Sequence, residues 1–240
     1  NFMAVIEWKK DSSVAVVNMC NAANKMNLEF VNQMDECFQQ VLADPEVHAM
    51  IITSFDEKNF SQGIDLEWVM KKHQEKDFDS IQSFLFGMNE IFKQVLLMPI
   101  PVIAAINGHA FGDGAMLACC CDFRFMKKDK GFFCFPEVDI NIPFLPGMIK
   151  FVRKAIPEPQ FNRMILSGQR CTAVELYEAQ VIVKASADMD ELQADAMAFA
   201  AQFKKARPIF GELKKRMHKD IVQTMDTEDI EIIKTTSLSV

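Results

Sequence analysis

The chain is short of what would break, crosslink or anchor it. Nine glycines and nine prolines in 240 residues are too few for a linker-rich or collagen-like protein. No apolar run approaches the roughly 18 residues of a transmembrane helix, and no basic amphipathic stretch points to a membrane surface. Positive charge is also scarce, with 26 basic against 33 acidic residues and a formal net charge of −7. A general nucleic-acid binder needs a basic face, so that class is excluded. The four histidines are widely spaced and no CxxC pattern accompanies them, so no metal site is expected. Seven cysteines leave one over in any disulfide framework, and Cys119, Cys120 and Cys121 are consecutive. They read as reduced thiols used as small hydrophobes. Neither end carries a recognisable leader, address or lipidation signal, so the expectation is a cytoplasmic protein.

Half the residues are hydrophobic, which is enough for a sizeable core. Phe2 to Trp8 and Val14 to Met19 read as strands around the polar turn Lys9 to Ser13. Leu28 to Leu42 has helical apolar spacing, and Met50 to Ser54 is a short apolar strand. Phe78, Ile81, Leu85, Met88, Phe92 and Val95 form a long helical stripe ended by Pro99 and Pro101. Val102 to Ile106 and Phe123 to Met126 are further strands, with Asp122 and Arg124 read as surface charges. After Pro146-Gly147 only helices are expected: Phe161 to Leu166, Ala173 to Ala179, Leu192 to Lys205 and a last segment after Glu228. Strand–helix alternation followed by helices alone implies an α/β core with a helical C-terminal segment.

The usual nucleotide and esterase signatures, G-x-G-x-x-G, G-x-x-x-x-G-K-[ST] and G-x-S-x-G, are absent. Two glycine-bearing turns remain, Phe60 to Asp65 and Asn107 to Gly114. Glycine lets backbone approach a ligand closely. Two such turns could aim N–H groups at one oxygen, helped by a helix N-terminus near Gly114. Taken alone they read as two ordinary turns.

In order along the chain, several segments resemble the enoyl-CoA hydratase/isomerase, or crotonase, superfamily. Asn24-Lys25-Met26-Asn27 is similar to N-A-L-N, Phe60 to Asp65 to F-x-x-G-x-D, and Pro101 to Gly114 to P-x-I-A-A-[IV]-N-G-x-A-x-G-x-G. Pro136-Glu137-Val138 resembles P-E-[IV], Pro143 to Gly147 the proline–glycine segment after it, and Ile165 to Arg170 the later L-[ST]-G-x-x. Arg207-Pro208 with Lys214 resembles the late proline–lysine helix. The resemblance implies a spiral of repeated ββα units over residues 1–185 and a helical segment over 186–240. It further implies a homotrimer or dimer of trimers, and acyl-CoA thioesters as substrate, as in β-oxidation. Coenzyme A then enters as part of the substrate, and no separate cofactor is implied.

Carried over by position, the thioester oxygen would sit between the N–H groups of Gln62 and Asp113. Lys25, Ser61, Gly63 and Ile64 would meet the CoA part, with Lys58 a further basic side chain near the phosphates. Preorganised donors stabilise an enolate more than the neutral carbonyl, which is why such a pair would accelerate C2 deprotonation.

The carboxylates separate the reactions. Family hydratases carry a glutamate two residues beyond the last glycine of the second turn, where this chain has Met116. Their second glutamate is present as Glu137. Methionine cannot exchange a proton, so hydration is demoted. A single carboxylate can carry a proton from C2 to C4 of a 3-enoyl-CoA, as in monofunctional Δ3,Δ2-enoyl-CoA isomerases, whose S-E-V-D-I-G run resembles Phe135 to Asn141. The extra carboxylate of dienoyl-CoA isomerases would fall at Leu145. The expectation is therefore an enoyl-CoA isomerase with Glu137 as its base. Hydration, thioester hydrolysis and CoA binding without catalysis are the alternatives. Asp113 departs from the usual Gly or Ala, and Asn141 and Gln180 stand where the family has Gly. Asp113 and Asp139 are kept as alternative acid/base groups, and Trp68, Met70 and Phe84 as candidate tunnel residues.

Overall fold

The computed structural model describes residues 4–235. Its main sheet has six strands in the order β1-β2-β4-β7-β9-β11, where β1 is Ile6–Asp11, β2 Val14–Met19, β4 Ala49–Ser54, β7 Val102–Ile106, β9 Phe123–Lys127 and β11 Lys184–Ser186. Only the β1–β2 pair is antiparallel. A second, parallel sheet has the order β10-β8-β5, from β10 (Phe133–Cys134), β8 (His109–Phe111) and β5 (Asn59–Ser61). β3 (Lys25–Met26) pairs with β6 (Gly63–Ile64) in a third. Each of β4, β7 and β9 is followed by a short strand of the second sheet. These three turns of the chain each add one strand to each of two layers, which gives a spiral of ββα units.

The central strands show why the sequence reads as continuous apolar runs. β4 and β7 are buried along their whole length, as parallel strands covered on both faces must be. Their side chains alternate between two cores. Met50, Ile52, Val102, Ala104 and Ile106 join the large cluster beneath α1 (Leu28–Ala43) and α3 (Phe78–Leu97), whereas Ala49, Ile51, Ile103 and Ala105 face Leu192, Ala196 and Ala200. The latter belong to the helix Met189–Ala200, so the C-terminal segment is built onto the sheet. Cys119, Cys120 and Cys121 lie in the core, where burial pushes the Cys121 thiol up to about 12.

Three expectations are corrected. Lys9, Lys10 and Asp11 continue β1 rather than turning, because an edge strand can leave charges in water, and the reversal falls at Ser12 with φ 55°. The expected strand start at Phe2 lies outside the described residues. The C-terminal half is not helix alone: β11 adds an edge strand too short to show a period. Asp122 and Arg124 are not surface charges. Arg124 is buried and donates to the carbonyls of Ala118, Cys121 and Val181, while Asp122 accepts from Val102 N–H and from the buried Lys214, both at 2.8 Å. Arg207 likewise donates to Leu42 and Val47 carbonyls.

Candidate active site

The motif asparagines and aspartate act first as carpentry. Asn27 caps α1 through Glu29 and Phe30 N–H groups, and Asp65 caps α2 (Leu66–Gln74) through Trp68 N–H at 3.1 Å. Asn24 donates to Ser54 Oγ and the Phe60 carbonyl, and Asn107 to the carbonyls of Asp56 and Asn59. These bonds fix the two glycine turns relative to the sheet, and the β5–β8 pairing lays the turns side by side.

Glycine is required where the turns touch. A Cβ on Gly63, whose φ is +79°, would stand 2.7 Å from the Phe111 carbonyl oxygen and 3.2 Å from Asp113 N. The 60–65 loop therefore lies directly against the start of α4 (Asp113–Cys120). As the first residue of that helix, Asp113 has an N–H without an intrahelical acceptor, at the positive end of the helix dipole. The expected convergence of the two turns is thus present in the fold.

Within the loop, the donors are distributed differently from expectation. Gln62 N–H donates to the Ala23 carbonyl at 3.0 Å, Gly63 N–H to Ser61 Oγ at 3.1 Å and Asp65 N–H to the Met26 carbonyl at 2.8 Å. The Gln62 N–H is therefore already spent on the scaffold. Ser61 is fully buried and its hydroxyl donates to the Asn24 carbonyl at 2.7 Å, so its side chain serves the loop.

Glu137 opens a single helical turn, α5 (Glu137–Ile140), after Pro136. Asn141 ends this turn in the left-handed region at φ 59°, a conformation asparagine tolerates, and Gln180 also has φ 59°. The two positions where glycine is usual in the resembling family are thus left-handed here as well. A Cβ on Gly112, at φ +53°, would lie 3.0 Å from Glu137 Oε1. The other oxygen, Oε2, is buried without a hydrogen-bond partner. Burial, reinforced by the charge of Asp113, pushes the Glu137 carboxyl up to about 8. Burial alone raises Asp113 to about 7.

Glu137 and Asp113 open on one cavity of about 480 Å³. Gln62, Ile64, Gly112 and Met116 line it as well, and Leu85, Phe144, Leu145, Met148, Ile232 and Ile233 supply apolar walls. Several expected residues are elsewhere. Lys25 lies on β3 with its ammonium 3.3 Å from Glu67 at the surface. Phe84 is core and packs edge-on against Trp68, and Met70 is exposed. Asp139 is exposed on the other side of α5, because a helical turn rather than a strand separates it from Glu137. The sequence reading missed the contribution of Phe144, Met148, Ile232 and Ile233. The apolar spacing of the last helix was the available signal for the two isoleucines.

The enoyl-CoA hydratase/isomerase family model matches residues 9–236. A short-chain-enoyl-CoA hydratase of Clostridium acetobutylicum is 29% identical over 214 residues, covering 88% of this chain and 79% of its own. A carnitinyl-CoA dehydratase of Escherichia coli is 32% identical over 187 residues, covering 78% and 69%. Among solved structures, an enoyl-CoA hydratase/isomerase family protein of Pseudomonas syringae superposes with a TM-score of 0.85 at 22% identity, over 96% of this chain and 97% of that one. An enoyl-CoA hydratase of Bacillus halodurans gives 0.83 at 18% identity, over 98% and 97%. With nearly the whole chain matched and both glycine turns meeting at one cavity, the chain belongs to the enoyl-CoA hydratase/isomerase family.

Proposed function

We propose that this protein is an acyl-CoA double-bond isomerase, converting a 3-enoyl-CoA to the conjugated 2-enoyl-CoA. The observation that carries the reading is the Glu137 carboxyl, buried with an unpartnered Oε2 at a cavity it shares with Met116 rather than a second glutamate. The thioester oxygen is held by the N–H groups of Asp113 and Ile64. Ile64 replaces Gln62 in this role, because Gln62, Gly63 and Asp65 N–H groups are given to the scaffold. Ionised Glu137 takes the C2 proton, and the released electron pair spreads over a dienolate whose charge falls largely on the thioester oxygen. The same carboxyl returns the proton at C4, leaving the double bond between C2 and C3. No water, oxidant or reductant is consumed.

Asp113 suits this chemistry while it is neutral, since a second carboxylate would oppose the dienolate. Burial raises both carboxyls, Asp113 to about 7 and Glu137 to about 8, so the two share one proton and the reactive form is the one that carries it on Asp113. Ser61 and Gly63 shape the loop, and Lys25 exchanges its exposed partner Glu67 for a CoA phosphate. Such an exposed pair is worth at most about 1 kcal/mol, so the exchange costs little. Assembly as a homotrimer or dimer of trimers is part of the same reading, supported by exposed Val138, Ile140 and Leu166 around α5 and the helix Glu158–Ser167.

A second reading, hydration, is favoured by one observation: Asp113 and Glu137 supply two carboxyls to one cavity. The names of the relatives, a hydratase and a dehydratase, agree with it. Product analysis on 3-enoyl-CoA and 2-enoyl-CoA separates the two. Conjugated product from the 3-enoyl substrate, with little 3-hydroxyacyl-CoA, is expected. Dominant 3-hydroxyacyl-CoA overturns isomerisation in favour of hydration, and CoA affinity without turnover leaves a binding protein.

A further inference from the structure

The helix Lys219–Thr224 runs through a π-helical turn, Met225–Asp229, into the terminal helix Ile230–Thr235. Ile232 and Ile233 of that helix form part of the cavity wall. One buried residue ties them to the rest of the site. Asp229 is fully buried, and its Oδ1 accepts the N–H of Gly147 at 2.8 Å. Gly147 lies in the first turn of the helix Pro146–Ala155, where N–H groups lack intrahelical acceptors. Its missing side chain matters: a Cβ there would run into Asp229 Oδ2 and stand 2.6 Å from Met225 Cγ. The residues on either side of Gly147, Pro146 and Met148, line the same cavity.

The latch is supported from α3. Asn89 Nδ2 donates to the Met225 carbonyl at 3.2 Å, and Gln82 Nε2 to the Lys234 carbonyl at 3.3 Å. Lys150, one turn along from Gly147, donates to Thr224 Oγ1 at 2.7 Å. π-Helical turns recur at functional sites, and this one presents the carboxylate inward just before the cavity wall begins.

We infer that Asp229, through its bond to Gly147, is a positioning residue that fixes the Ile233 wall and so limits the length of acyl chain the cavity accepts. The inference rests on the acyl-CoA reading above. It concerns the substrate tail and is independent of whether the chemistry at Glu137 is isomerisation or hydration. With the latch in place, Ile233 is held in the apolar part of the cavity lining with Leu85, Phe144 and Met148, the surface an acyl tail would meet. Without it, the turn that leads into the terminal helix loses its buried bond to the Pro146–Ala155 helix, and the wall can move outward.

The test is binding of unreactive saturated thioesters, butanoyl-, octanoyl- and dodecanoyl-CoA, measured by calorimetry on the full chain. In Asp229→Ala the affinity ratio of dodecanoyl- to butanoyl-CoA should rise at least about tenfold over wild type, equivalent to about 1.4 kcal/mol. Asp229→Asn keeps an oxygen that can accept from Gly147 N–H, so it should hold the wild-type ratio. Ile233→Ala shortens the wall itself and should raise the ratio without touching the latch. A purely structural Asp229 would weaken all three thioesters together, leave the ratio alone and overturn the inference. A wild-type ratio in Ile233→Ala overturns it equally, even if Asp229→Ala fails to fold. Failure of every thioester to bind wild type overturns the acyl-CoA reading itself, and the inference with it.

Discussion

The Glu137 carboxylate rests on the backbone of Gly112, with Oε1 3.0 Å from the point where a Cβ would stand. This contact joins the second glycine turn to the P-E segment and aims the acid at the cavity. Gly112→Ala would meet both the carboxylate and a φ of +53° that L side chains rarely adopt. Isomerase activity should fall by at least about tenfold, because small displacements of a proton-transfer group are costly. Unchanged turnover in this variant would mean that Glu137 need not be held here.

Glu137→Gln preserves shape and removes the base. General acid–base groups contribute roughly 10²–10⁴-fold, so 3-enoyl-CoA isomerisation should drop by at least about 10²-fold while acyl-CoA affinity stays close to wild type. Steady-state rates paired with calorimetric titration check this. Comparable turnover in both proteins would transfer the role to Asp113.

Asp113 and Glu137 titrate as a coupled pair, raised to about 7 and about 8. The active form has Glu137 ionised and Asp113 neutral, so the wild-type rate should pass through a maximum between the two macroscopic steps. Asp113→Asn removes the neighbouring charge that raises Glu137. With one carboxyl left, a single Glu137 step should remain, so the falling limb should vanish and the rate should hold a plateau at high pH. A profile identical to wild type would show that the two carboxyls do not interact.

The same burial has a stability consequence. Glu137 rises from an ordinary 4.5 to about 8 on folding, so between these values the native state holds more protons than the unfolded chain. Its contribution is most favourable below 4.5 and is lost as pH rises through 8. Glu137→Gln escapes that loss. It should be more stable than wild type at pH 8.5 by on the order of 4 kcal/mol and nearly equal at pH 4.5. Thermal melts at the two pH values measure the difference, and a variant destabilised equally at both would contradict the assignment.

Met116 occupies the place where the resembling hydratases carry their first glutamate, and it lies buried at the same cavity as Glu137. Met116→Glu should therefore create measurable addition of water to 2-enoyl-CoA. Hydration by the unmodified protein at the same rate would identify Asp113 and Glu137 as a sufficient pair.

Features with a local cause were legible in the chain. Strands β4 and β7 follow from uninterrupted apolar runs, α1 and α3 from apolar spacing and their caps, and the two glycine turns from motifs that recur in order. Glu137 and Asp113 were legible for the same reason, each being tied to its own segment. Features that depend on a partner far along the chain emerged only with the packing of segments. Gln62 was lost as a donor because Ala23 takes its N–H, and Arg124 became buried against the Val181 carbonyl while Asp122 was drawn inward by the buried Lys214. The raised carboxyls and the wall closed by Ile233 and latched by Asp229 on Gly147 belong to the same class. Periodicity reports which face of an element is apolar. It does not report which distant backbone group will claim a donor or how far water is kept from a carboxyl, because both are set by packing between segments rather than within them.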